Sequence, residues 1–301
     1  MSHLTDAVLR RIKEHSFFYE LNGVLIEKAG YANRYMGGIN AMYKVYNKLK
    51  KKYSHFIGKA EFKKYPENQE DYVWVCWLQG IENAPPLVQS CIKSMQYHIK
   101  DKKIVFITKD NFSQYADLPD YIVQKWQKGI IPNAQFADIL RIQLLIQHGG
   151  IWLDSTVYLT GELPDYITKS DFFVYRAGWF DNELINMGNW LIRSKPNNIL
   201  LNETQNLLFE YWKKNNYLCQ YFIFHLFFKA VCEHYPDEWK KTPYFNQIDQ
   251  HLLSEDINLE YNEERFCEIK KITPVHKLTN KTDGLKFEEN SYYSRLDLIY
   301  K

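Results

Sequence analysis

The sequence has no Cys-x-x-Cys pair, no long uncharged apolar run and almost no net charge, and each absence removes a class of function. Its five cysteines (Cys76, Cys91, Cys219, Cys232 and Cys267) are scattered and odd in number. That spacing excludes a disulfide framework and a zinc ribbon and fits reduced thiols in a cytoplasmic protein. A formal charge of +2 over 301 residues supplies no field for binding nucleic acid. The first thirty residues lack the apolar stretch and small-residue cleavage site of a secretory signal. The most apolar segment, Tyr217 to Val231, carries Gln220, His225 and Lys229 and is too short to span a bilayer, so a buried helix is predicted there. No G-x-x-x-x-G-K-S/T run is present, which weighs against a phosphate-loop phosphotransferase or nucleotidyltransferase. Repeats and low-complexity tracts are missing as well.

What the chain has in excess is aromatic side chains, 16% of its residues, among them 23 Tyr and 8 Trp. Aromatic faces suit nucleobases and the apolar C–H side of sugar rings, although any single ring more often fills a core. The length allows one large core or two small ones. Residues 1–65 read as a helical N-terminal extension, with Leu4, Val8, Leu9 and Ile12 at helical spacing. Gly37-Gly38 breaks that pattern, and a second helix is predicted from Ile39 to Tyr53. The second helix ends in Lys44, Lys48, Lys50, Lys51 and Lys52 with tyrosines interleaved. Such a run is ordinarily a solvated face; its functional reading is peripheral contact of residues 44–52 with an anionic membrane surface.

Composition changes at Pro66-Glu67-Asn68, and residues 66–301 read as one α/β domain. Tyr72 to Trp77 and Lys103 to Thr108 are β-rich runs enclosing a helical pattern from Leu87 to His98. Strand, helix and strand in that length form a βαβ unit and predict a parallel sheet. Asp120 to Trp126 is a further short helix or strand. Phe136 to His148 is a helix stopped by Gly149-Gly150, Ile151 to Leu153 is a strand running into Asp154, and Asp171 to Tyr175 is another. Beyond Asn197 the pattern is helical (Leu200 to Lys214, Tyr217 to His234), ending in a loop-rich tail.

Open α/β sheets bind ligands beyond the carboxyl ends of their strands. Two such ends carry Trp77-Leu78-Gln79-Gly80 and Asp154-Ser155-Thr156. The preceding helix adds Asp138 and Arg141, three residues apart and so on one face. A carboxylate beside a guanidinium recognises vicinal hydroxyls, one accepting hydrogen bonds and the other donating them. An acid at a strand edge also suits a divalent cation bridging a diphosphate. Each piece alone has an ordinary explanation: a turn former, a surface ion pair, a helix cap. The combination carries the signal. His225, in a strongly apolar helix, is expected as a core or acceptor-side histidine held by a hydrogen bond.

The runs Val73 to Gly80, Ala84 to Val88, Phe136 to Arg141 and His148 to Asp154 occur in an order and spacing that resemble the bacterial capsular polysaccharide synthesis glycosyltransferases. These are similar to the DXD-type mannosyltransferases and, more distantly, to glucosylating clostridial toxins. Weaker resemblance continues through Asn189-Trp190, Tyr221 to His225 and His276 to Thr279. The resemblance implies a GT-A-like fold (a Rossmann-like nucleotide-sugar-binding sheet) with helical N- and C-terminal additions. It implies transfer of a sugar from a UDP- or GDP-sugar to a hydroxyl of a surface polysaccharide intermediate, such as a lipid-linked oligosaccharide, with retention. By position, Asp138 and Arg141 hold the donor sugar, Trp77 stacks on the base beside Gln79, Asn189 lines the sugar pocket and Lys277 meets the diphosphate. Asp154 is the first acid of D-x-D, and the implied Mn²⁺ or Mg²⁺ has Asp154, Thr156 and His276 as candidate ligands. The chain departs from D-x-D at Thr156, a neutral and weaker ligand. The alternative is a non-catalytic glycan- or nucleotide-binding subunit that lost its acid there.

Overall fold

The computed structural model describes residues 8, 11–12, 17–30, 33–67, 71–177, 182–280 and 288–300. Leu4 and Leu9 lie outside them; Val8 and Ile12 are helical. Helix α1 (Phe17–Lys28) packs on α2 (Arg34–Tyr53). The predicted break at Gly37-Gly38 does not occur, because these glycines lie inside α2. A Cβ on Gly23 would sit 2.9 Å from the carbonyl oxygen of Gly37, so the two backbones touch where both residues lack side chains. The chain turns at Ala29-Gly30 instead, and the side chain of Asn33 caps α2 by accepting from Met36 N. The inner face of α2 (Met42, Val45, Tyr46, Leu49, Tyr53) belongs to the same apolar cluster as Trp74 and Phe136.

The main sheet contains β1 (Tyr72–Cys76), β2 (Lys103–Ile107), β3 (Gly150–Asp154), β5 (Phe172–Arg176) and β6 (Met187–Ser194), in the order β2–β1–β3–β6–β5. Strand β1 runs parallel to β2, to which it is linked through α3 (Pro86–His98) as the βαβ reading predicts, and parallel to β3 on its other side. Helices α4 (Asp120–Gln127) and α5 (Asn133–His148) lead into β3. Strand β6 is antiparallel to both β3 and β5, so the sheet is mixed. The sequence reading contains no β6, because Gly188, Asn189 and Arg193 interrupt its apolar run. A pairing partner on each side supplies what local pattern does not. Strand β4 (Val157–Leu159) pairs antiparallel with β7 (Val275–Lys277) in a separate ladder, so the C-terminal half is not wholly helical.

Strand alternation splits the sheet into two faces. Trp74, Trp152, Val174 and Ile192 face the large core made with α5, α7 (Ile199–Lys214) and α8 (Ile223–His234). Val73, Val75, Ile151, Leu153, Phe173 and Leu191 face a second cluster with Met95 of α3, Val157, Leu159 and Val275. Shorter helices α6 (Asp165–Thr168), α9 (Pro236–Lys240) and α10 (Leu252–Glu255) fill connections, and α11 (Glu263–Ile272) and α12 (Tyr292–Ile299) pack beside Tyr158. Gly150 begins β3 at φ +95°, and a Cβ there would lie 2.3 Å from the carbonyl oxygen of Tyr72. Only glycine lets β3 start this close to β1. The parallel register then sets Asp154 opposite Cys76, and both strands end at one place.

Candidate active site

A cleft of about 580 Å³ opens at those two strand ends. Trp77 and Gln79 line it after β1, Asp154 and Thr156 after β3, Asp138 and Arg141 from α5, and Asn189 from β6. Lys277 and His225 complete the wall from β7 and α8, together with Tyr221 and Phe222.

The polar floor is one connected network. Arg141 donates through Nη1 to Asp138 Oδ1 at 2.5 Å and through Nη2 to Asp154 Oδ1 at 2.9 Å. Trp152 Nε1 also donates to Asp154 Oδ1, at 2.9 Å; two residues apart on β3, both side chains face the same way. The guanidinium carbon lies 4.8 Å from the centroid of the Trp152 ring. Asn189 Nδ2 donates to Asp138 Oδ1 at 3.0 Å, so its amide orients the carboxylate. Burial pushes the Asp138 carboxyl up to about 6, Arg141 opposing and Asp154 adding to the rise. Burial also pushes the Cys76 thiol up to about 12, leaving no thiolate nucleophile at this edge at neutral pH.

Lys277 arrives by register. In the β4–β7 ladder Lys277 stands opposite Val157 and His276 opposite Tyr158, so the two side chains take opposite sides. Lys277 Nζ donates to Thr156 Oγ1 at 2.5 Å and to the Leu278 carbonyl at 2.9 Å, and lies 3.9 Å from Asp154 Oδ2. His276 is fully buried, and its Nε2 lies 2.9 Å from Thr160 Oγ1. Burial holds its imidazole down near 3, so it stays neutral. The structure therefore does not bring His276 to the cleft: alternation along β7 gives that side to Lys277.

His225 does line the cleft. It is 7% exposed, burial and then Arg141 hold it down near 3, and its Nδ1 has no hydrogen-bond partner among the described residues. Among the described residues, Nδ1 therefore does not make the hydrogen bond expected to anchor this side chain. Trp77 lines the wall with its indole Nε1 buried and, among the described residues, unpartnered, whereas Gln79 stands exposed at the rim. Trp152 had gone unassigned by sequence reasoning; its two-residue spacing from Asp154 on a strand was the available signal.

The expected divalent metal can be tested against these side chains. Among the described residues, no three His, Cys, Asp or Glu side chains form a metal-binding group. One oxygen of Asp154 already accepts two hydrogen bonds, Thr156 is neutral, His276 is elsewhere, and an ammonium stands by both Thr156 and Asp154. A hard dication takes about six oxygen ligands, of which the protein ordinarily supplies at least one or two carboxylates free to coordinate. The residues present do not fit a protein-held divalent metal.

Comparison with known proteins matches residues 34–296 to the family described as "Capsular polysaccharide synthesis protein". The chain is 31% identical over 153 residues to an uncharacterized glycosyltransferase of Acanthamoeba polyphaga mimivirus, covering 48% of this chain and 54% of that protein. It is 27% identical over 113 residues to the O-glycosyltransferase braB of Annulohypoxylon truncatum, covering 34% and 26%. The matches thus span about half the length of the first relative and about a quarter of the second. Among solved structures it resembles the PaToxG glycosyltransferase with a TM-score of 0.39 and 15% identity, covering 87% and 95% of the two chains. It also resembles the apo-form glycosyltransferase GlyE of Streptococcus pneumoniae with a TM-score of 0.41 and 14% identity, covering 77% and 60%.

Proposed function

The chain belongs to the capsular polysaccharide synthesis protein family, and from that premise we propose that it is a glycosyltransferase. It moves a sugar from a UDP- or GDP-sugar to a hydroxyl of a surface polysaccharide intermediate, with retention. The observation that carries the reading is the Asp138–Arg141–Asp154 network on the cleft floor, with Asn189 orienting Asp138. Asp138 accepts hydrogen bonds from hydroxyls of the donor sugar and Arg141 donates to them. Trp77 offers its ring to the base, with Gln79 beside it at the rim. Lys277 meets the diphosphate and stabilises its charge as it departs.

Asp154 is already engaged by Arg141 and Trp152, so this reading gives it the task of holding the guanidinium in place. Rate enhancement then comes from positioning and from fixed charges around the leaving group. No step is assigned to a divalent cation, because the side chains present do not fit one. Membrane contact through residues 44–52 belongs to the same reading, bringing the cleft to a lipid-linked acceptor at the cytoplasmic face. Lys48, Lys51 and Lys52 are exposed on α2 and available for it, whereas Lys50 is paired with Glu233. No helix among the described residues is long and apolar enough to cross a membrane.

The test is release of nucleoside diphosphate from UDP-glucose, UDP-galactose, UDP-N-acetylglucosamine or GDP-mannose by the purified protein. Wild type is expected to turn over at least one donor, and Asp154→Asn to slow it about a hundredfold, the scale for removing a preorganised charge. Equal, near-zero turnover in both, with sugar binding retained, would instead favour a non-catalytic glycan- or nucleotide-binding subunit. Thr156, standing where D-x-D has its second acid, is the observation on that side.

A further inference from the structure

We propose that the ammonium of Lys277 takes the place of a divalent cation at the donor site, so that the nucleotide diphosphate binds without metal. The inference rests on the glycosyl-transfer reading and concerns the group that meets the diphosphate.

A dication between protein and diphosphate needs anionic oxygens with lone pairs to spare. Asp154 Oδ1 already accepts from Arg141 and from Trp152. Asp154 Oδ2 and Thr156 Oγ1 lie 3.9 and 2.5 Å from Lys277 Nζ. A metal bonded to both oxygens would sit against that ammonium. Thr156 brings no negative charge to the position, and Lys277 brings a positive one.

The backbone holds the lysine there. The β4–β7 ladder sets Lys277 against Val157, and the bonds from Leu278 N to Thr156 O and from Thr160 N to Pro274 O, both 2.9 Å, pin its two ends. An ammonium fixed in this way is a preorganised charge for an anion, at no cost of reorganisation on binding. The same register buries His276, the imidazole named above as a candidate metal ligand, away from the cleft.

The test is isothermal titration of the full chain with UDP and GDP, in EDTA and again with Mn²⁺, with uridine and guanosine as controls. The expected result is diphosphate affinity in EDTA within about twofold of that in Mn²⁺. Lys277→Met should weaken the diphosphate at least about tenfold and the nucleosides not at all, while Lys277→Arg keeps most of the affinity. Lys277→Met combined with Thr156→Asp should regain binding only when Mn²⁺ is added. Diphosphate binding that disappears in EDTA and returns with Mn²⁺ overturns the inference alone, as does a Lys277→Met variant that binds like wild type. Failure of every nucleotide in both conditions overturns the glycosyl-transfer reading together with it. Should Lys277→Met fail to fold, the wild-type comparison and Lys277→Arg still decide.

Discussion

Asp154 and Lys277 end up 3.9 Å apart, yet they are held by unlike means. Asp154 closes β3, a central strand paired on one side with β1 and on the other with β6. Lys277 closes β7, a short strand that among the described residues pairs only with β4. A central strand buried on both faces cannot slip without tearing two ladders. On β7 a slip of one residue would exchange the sides taken by His276 and Lys277. The acid is thus set by the sheet as a whole, and the base by one register.

The contrast can be attacked first at the sheet. Gly150→Ala adds a Cβ that meets the Tyr72 carbonyl at 2.3 Å, on a backbone at φ +95°. The expected cost is about 2–4 kcal/mol of stability from strain and displacement of β3, read as a fall in the denaturation midpoint.

A smaller stability effect, with a large functional one, is expected at Asp138. Its carboxyl is raised from 3.8 to about 6, so ionising it costs folded-state stability as pH rises between those values, and the full cost is present above about 6. Asp138→Asn is therefore expected to keep or raise the melting temperature at pH 8 while donor-sugar affinity falls at least about tenfold. For wild type, donor affinity should fall as pH drops through about 6, because the protonated acid no longer accepts from the sugar hydroxyls. A pH series of nucleotide-sugar titrations, with Asp138→Asn as the flat control, checks the sign.

The smallest effect on nucleotide binding separates the neighbours on β7. His276 and His225 are both held near 3 by burial, below the ordinary histidine value of 6.5. The unfolded chain takes up protons at these sites as pH falls below 6.5 and the folded chain does not. Stability is therefore lost on acidification from 6.5 toward 3, by at most about 1.4 kcal/mol per pH unit for each histidine. His276→Gln is expected to flatten that slope and to leave UDP and GDP affinity as in wild type. A loss of nucleotide affinity in His276→Gln would mean that the register read for β7 is wrong in solution.

Much of the acidic half of the site was legible because its cues are local. Asp138 and Arg141 are spaced for one helix face, Gly149-Gly150 stops the helix, and an apolar run delivers Asp154 to the strand end. The structure joins all three side chains in one network. His276 was not legible in the same way. Adjacent in sequence to Lys277, it satisfies a metal-ligand pattern equally well on paper, and nothing in Val275 to Thr279 tells which side chain faces inward. Strand β6 was hidden for a related reason: Gly188 and Asn189 weaken it locally, and only β3 and β5 on either side make it a strand.

Local spacing by itself determined the α/β order around the first three sheet strands, the shared helical face of Asp138 and Arg141, and the delivery of Asp154 to a sheet edge, because these depend on periods of two and 3.6 residues and on glycine stops. The tertiary structure alone decided that Asp154 is committed to Arg141 and Trp152, that Asn189 serves Asp138, and that an ammonium stands beside Thr156 where a metal was expected. Those outcomes depend on how separate elements meet, up to the 121 residues between Thr156 and Lys277, whose register no local pattern encodes.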